Sequence, residues 1–157
     1  MNVVQAMEVD GMEVLSSRTI IHPRDLDRSL AFYGEALGLP VAREFGDGDG
    51  RGVVFFAGGG MVEVVGSSRA RVPAPPKRDG APGDGGSDLT LWLQVRDIAA
   101  TLADLRSRGV TIVRAAVQEP WGLVEAWIDD PDGLRIHLVE VPADHPLRGD
   151  VRRNLDR

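Results

Sequence analysis

Two stretches of the chain carry one pattern twice. RTIIHPRDLDRSLAFYGEALGLPV begins at Arg18 and TLWLQVRDIAATLADLRSRGVTIV begins at Thr90, an offset of 72 residues. Arg24-Asp25-Leu26 aligns with Arg96-Asp97-Ile98, Leu30 with Leu102, and Tyr33 with Leu105. A duplicated unit constrains the fold more than any single motif. Whatever supersecondary structure one copy forms, the other must form too, and the two must then cover apolar surface that neither buries alone.

Each copy reads as a strand followed by a helix. Asp25 and Asp97 stand where N-caps belong, with carboxylates free to accept from the first unpaired helical amides. Leu26, Leu30, Tyr33 and Leu37 fall on one helical stripe, which Ile98, Leu102 and Leu105 repeat. Gly38 and Gly109 follow as C-terminal stops. Three more strands are expected in each half, near 41–44, 52–57 and 61–65, then near 111–115, 124–129 and 134–141. AGGG (57–60) and DPDG (130–133) supply the hairpin turns. There the offset grows to 74, which pairs Glu63 with His137.

The expected fold is therefore α+β, with two β-α-β-β-β modules forming a cup-shaped mixed sheet and the helices outside. Residues 15–66 and 89–141 make the modules. Residues 1–14 form an N-terminal extension and 142–157 a polar tail. Between the modules, 67–88 is rich in Pro, Gly and charge and reads as a linker or flap.

Composition removes several classes of function. The formal net charge is −6, which disfavours nucleic acid as a partner. Without cysteine there is no disulfide, thiolate metal site or thiol nucleophile. No apolar run has the length of about 18–20 residues that a membrane span needs. The first residues lack the order of a secretory signal, so a cytoplasmic protein is expected.

DLDRSLAFYGEALGL (25–39), MVEVV (61–65), LQVRDI (93–98), PWG (120–122) and DPDGLRIHLVEV (130–141) together resemble the vicinal oxygen chelate superfamily. That family includes glyoxalase I, extradiol dioxygenases, fosfomycin-resistance proteins and bleomycin-binding proteins. The resemblance implies a homodimer. It also implies four metal-ligand positions on the cup's inner wall, which here match Arg18, Glu63, Thr90 and His137. Only Glu63 and His137 are credible ligands. Thr90 is a poor donor and Arg18 a permanent cation. No cofactor is expected, although a divalent metal at Glu63 and His137 stays open.

Arg18 and Glu63 read either as an internal ion pair or as a site where the guanidinium grips a ligand anion. Thr90 and His137 read either as a hydrogen-bonded pair on a wet wall or as a general base, His137, oriented by Glu63. Strand alternation puts Trp92 on one face with Thr90 and Gln94, and Trp127 on one face with Glu125 and Asp129. Phe55 aligns with Trp127, and Trp121 lies in a loop at the cup's mouth. These rings either fill a core or line a cavity; their polar neighbours favour a cavity for a planar or aromatic small molecule. The expected contacts are Arg18, Phe55, Thr90, Trp92, Gln94, Trp121 and Trp127, with His137 and Glu63 as the candidates for chemistry. A binding protein is one reading. A lyase, dioxygenase or epimerase with a degenerate metal site, or with acid–base chemistry alone, is the other.

Overall fold

The computed structural model describes residues 12, 14–66 and 89–147. The expected linker at 67–88, most of the N-terminal extension and the tail beyond 147 lie outside the described residues. Each repeat forms one four-stranded mixed sheet. The first holds β1 (Arg18–Ile21), β2 (Val41–Phe45), β3 (Gly52–Ala57) and β4 (Gly60–Val65) in the order β1-β4-β3-β2. The second holds β5 (Leu91–Val95), β6 (Ile112–Gln118), β7 (Val124–Asp129) and β8 (Arg135–Glu140) in the order β5-β8-β7-β6. In each, the first strand runs parallel to the last and the other pairs are antiparallel. The sheets are not closed into a barrel.

The helices start where the caps place them. Asp25 accepts from the Arg28 amide at 3.0 Å and opens α1 (Leu26–Ala31). Asp97 accepts from the Ala100 amide at 2.8 Å and opens α2 (Ile98–Ser107). The two then diverge. α2 stays α-helical and buries Ile98, Leu102 and Leu105. After six residues α1 passes into a π-helical turn, Phe32–Ala36, closed by the Leu37 amide on the Phe32 carbonyl at 2.8 Å. Tyr33, in the wider turn, is fully buried, while Leu26, Leu30 and Leu37 are only partly covered. Gly38 and Gly109 end the helices at φ 68° and 79°, where a side chain would be strained.

One apolar cluster runs through both repeats on the helix-bearing side of the sheets. It joins Tyr33, Phe55, Val62 and Val64 to Ile98, Leu102, Leu105, Ile128 and Ile136. Polar bonds fix the same junction. The buried Tyr33 hydroxyl donates to Asp130 Oδ2 at 2.9 Å, the Arg24 amide to Asp132 at 2.8 Å, and the Arg108 guanidinium to the Glu35 carbonyl at 2.9 Å. Asp130 is itself held by the Asp132 and Leu134 amides, so the DPDG turn that reverses the chain also receives the other module's tyrosine. With the helix-bearing faces used in this way, the opposite faces of both sheets stay open. Ile20 and Phe56 on the first, and Trp92 on the second, are each about half exposed.

Phe55 departs from its expected place. The register sets Val54, not Phe55, opposite Glu63, and sets Phe55 opposite Val62. Phe55 is 2% exposed, beside Tyr33 in the shared core, and does not line the open face. The repeat offset over this strand is 73, between the 72 and 74 found on either side of it; one residue of slip moves a side chain to the other face.

Candidate functional site

The open face of the second sheet carries the densest chemistry among the described residues. Cross-strand register lays Trp92, His137, Trp127 and Arg114 abreast over β5, β8, β7 and β6. His137 stacks on Trp127 with ring centres 5.0 Å apart and planes 12° from parallel. The Arg114 guanidinium lies 4.5 Å from the Trp127 ring centre, and that of Arg135 at 5.2 Å. Trp127 is thus occupied by its own neighbours. Trp92 is not: it is 48% exposed and stands next to His137 on the other side.

Each basic side chain around Trp127 has a carboxylate near it. Arg114 pairs with Glu119 at 2.5 Å, Arg135 with Asp129 at 2.5 Å, and His137 Nδ1 lies 3.7 Å from Glu125 Oε2. Glu125 is 7% exposed, and its second oxygen accepts from the Trp121 indole at 3.0 Å. Trp121 remains 58% exposed at the edge of the face. Glu125 therefore holds Trp121 by a hydrogen bond and is the carboxylate that stands beside His137, too far for a direct bond. The expectation had given that role to Glu63. Alternation with Trp127 already set Glu125 on this face, but only the fold shows its carboxylate between the two rings.

Glu63 belongs to the other sheet. Arg18 Nη1 binds its carboxylate at 2.8 Å, the ion pair that the sequence suggested. Thr90 and Gln94 are exposed on the same side of the second sheet as Trp92. No hydrogen bond joins Thr90 to His137; the imidazole is engaged by Trp127 and Glu125 instead.

The four positions Arg18, Glu63, Thr90 and His137 do not fit a catalytic metal ion. A guanidinium repels a cation, and here it also takes the carboxylate that would have bound one. Among the described residues no three His, Cys, Asp or Glu side chains gather as a ligand set. Such a site ordinarily needs about three protein donors.

A family model described as Glyoxalase/Bleomycin resistance protein/Dioxygenase superfamily matches residues 17–138. A probable lactoylglutathione lyase of Synechocystis sp. is 31% identical over 124 residues, covering 78% of this chain and 92% of that protein. A superfamily member from Sphaerobacter thermophilus superposes with a TM-score of 0.62 at 26% identity, covering 82% of this chain and 98% of that one. A lactoylglutathione lyase from Agrobacterium tumefaciens gives 0.55 at 25% identity, covering 78% and 90%.

Proposed function

The chain belongs to the Glyoxalase/Bleomycin resistance protein/Dioxygenase superfamily, and on that premise we propose that it binds a small planar or aromatic molecule on the open face of its second sheet. One observation carries the reading: Trp92 presents a half-exposed indole beside His137, on a face whose other ring, Trp127, is already sandwiched. A ligand ring stacks on Trp92, and Trp121, Thr90 and Gln94 border it. Arg18 serves a ligand anion only where that anion displaces Glu63.

The homodimer is part of this proposal, with modules bounded at 15–66 and 89–141 as its building blocks. The chain covers its helix-bearing faces with each other and leaves Ile20, Phe56 and Trp92 exposed. A second copy setting its first sheet over this second sheet would cover all three and complete the cup twice by symmetry. No membrane or nucleic-acid partner enters the reading; among the described residues no helix is long and apolar enough to cross a membrane. A cytoplasmic location is part of the same proposal.

The test is a titration of intrinsic fluorescence with planar aromatic compounds. Quenching is expected for the right compound, and Trp92→Ala should weaken its binding at least tenfold, about 1.4 kcal/mol, with the circular dichroism unchanged. A Trp92→Ala protein that binds as tightly as wild type overturns the proposal.

The second reading is acid–base catalysis, favoured by the His137–Glu125 approach and by the names of the relatives just described. His137 would move the proton with Glu125 holding the ring, a role for which Glu63 was the first candidate. Turnover of a glutathione hemithioacetal that is lost in His137→Ala would establish it over simple binding.

A further inference from the structure

We propose that His145 is a proton-sensitive latch that positions Trp121 at the edge of the open face. The turn 119–123 folds over one end of the second sheet. Leu123 packs there on Val139 and Val141 in a small apolar cluster of its own, apart from the main core. The turn is closed by the Glu119 amide on the Leu123 carbonyl at 2.8 Å and the Gly122 amide on the Glu119 carbonyl at 2.9 Å. The segment after β8 then comes back across it, and His145 is the contact.

Both ring nitrogens of His145 are used. The Leu147 amide donates to Nδ1 at 3.1 Å, and Nε2 lies 3.0 Å from the Trp121 carbonyl. An amide can donate only to an unprotonated nitrogen, so the proton sits on Nε2 and donates to Trp121. The geometry thus specifies one neutral tautomer. Gly122 makes room for it: at φ 91° a Cβ would stand 3.1 Å from His145 Cδ2. The chain of contacts continues through the Trp121 indole to Glu125, and from Glu125 to His137.

Protonation of Nδ1 sets two donors, the imidazolium N–H and the Leu147 amide, against each other. That bond is lost and the return of the tail across the turn is loosened. The ionisable groups along this chain of contacts are Glu119 in the turn with its partner Arg114 on β6, Glu125 on β7 and His137 on β8, and Asp144 precedes His145 in the tail. The device acts on Trp121 whether or not the face binds an aromatic ligand, so it stands apart from that reading.

The test uses the full-length protein labelled with ¹⁵N and no ligand. Its three tryptophans give three indole signals, and Trp121→Phe identifies the relevant one. Over the range in which histidines titrate, about pH 5 to 8, the Trp121 indole signal should shift with a single inflection, and the Leu147 amide should follow the same curve. His145→Gln should flatten the Trp121 profile while the Trp92 signal stays in place, showing an intact fold. His137→Gln should leave the inflection unchanged. A Trp121 signal that does not move, an inflection that survives His145→Gln, or one that vanishes in His137→Gln overturns the latch. If His145→Gln does not fold, the Leu147 amide decides: no shared inflection in the wild type sinks the proposal.

Discussion

The two modules share a topology and spend their equivalent positions differently. Across the first sheet the row abreast of Glu63 is Ile20, Glu63, Val54 and Arg43. Across the second it is Trp92, His137, Trp127 and Arg114. Apolar aliphatic residues stand where the second sheet has indoles. Where the second sheet has Glu125, the first has Gly52, and a Cβ there would lie 2.5 Å from Phe45 Cζ. The difference extends to the turns. AGGG closes the first hairpin with two exposed glycines, while the longer DPDG turn presents Asp130 to Tyr33 of the other module. One repeated scaffold thus carries aliphatic side chains in this row of the first sheet at the two positions where the second sheet carries indoles.

Matched substitutions can break this comparison. The largest difference is expected in the helices. Leu102→Ala, at a position 4% exposed, should cost about 2–5 kcal/mol. Leu30→Ala, its counterpart, should cost less than about 2 kcal/mol, because Leu30 is only partly buried. Equal losses in urea unfolding would mean that the helices bury their stripes alike.

Next comes the junction. Burial, with the Asp130 carboxylate adding to it, pushes the Tyr33 hydroxyl far above the ordinary tyrosine range. Because the folded state keeps a proton that the unfolded chain releases, this contribution is complete below about pH 10 and falls as pH rises beyond it, by about 1.4 kcal/mol per pH unit. Tyr33 is the single tyrosine, so tyrosinate absorbance should appear only on unfolding. Tyr33→Phe should cost about 1–3 kcal/mol at neutral pH and remove tyrosine's share of the alkaline slope. Tyrosinate forming in the native protein near pH 10 would show that the junction is open to water.

On the open faces, Trp92→Ala should lower ligand affinity about tenfold or more, or about 1.4 kcal/mol. Ile20→Ala, the same position in the first sheet, should change it by less than about threefold, about 0.7 kcal/mol. Equal effects would place the ligand between the sheets and not on the second alone.

The smallest effect should come from the paired hydroxyls of the helices. Ser29 Oγ is buried with no hydrogen-bond partner, whereas Thr101 Oγ1, its counterpart, donates to the Asp97 carbonyl at 2.6 Å. Ser29→Ala should therefore stay within about 0.5 kcal/mol of wild type or stabilise slightly. A loss above that in thermal unfolding would reveal an acceptor for Ser29.

Much of this fold is written in local pattern. The offset repeat, the Asp25 and Asp97 caps, the glycine stops and the alternation of β4, β7 and β8 each depend on residues within a few positions of one another. Steric and hydrogen-bonding rules of short range turn them into elements with little help from the rest of the chain. The same alternation set Trp92 with Thr90 and Gln94, and Trp127 with Glu125, each set on one face of its own strand. What it could not say is which of them meet. Lateral neighbours are set by register, and register by slips and bulges such as those around Arg114, where β6 shifts against β7 twice. One such slip sent Phe55 into the core; another brought Arg114 over Trp127. Tertiary structure alone decided that the helix-bearing faces would join through Tyr33 and Asp130, residues 97 positions apart. Periodicity acts along a strand or helix, whereas contact across strands depends on the sum of every turn and bulge between them, and no local pattern carries that sum.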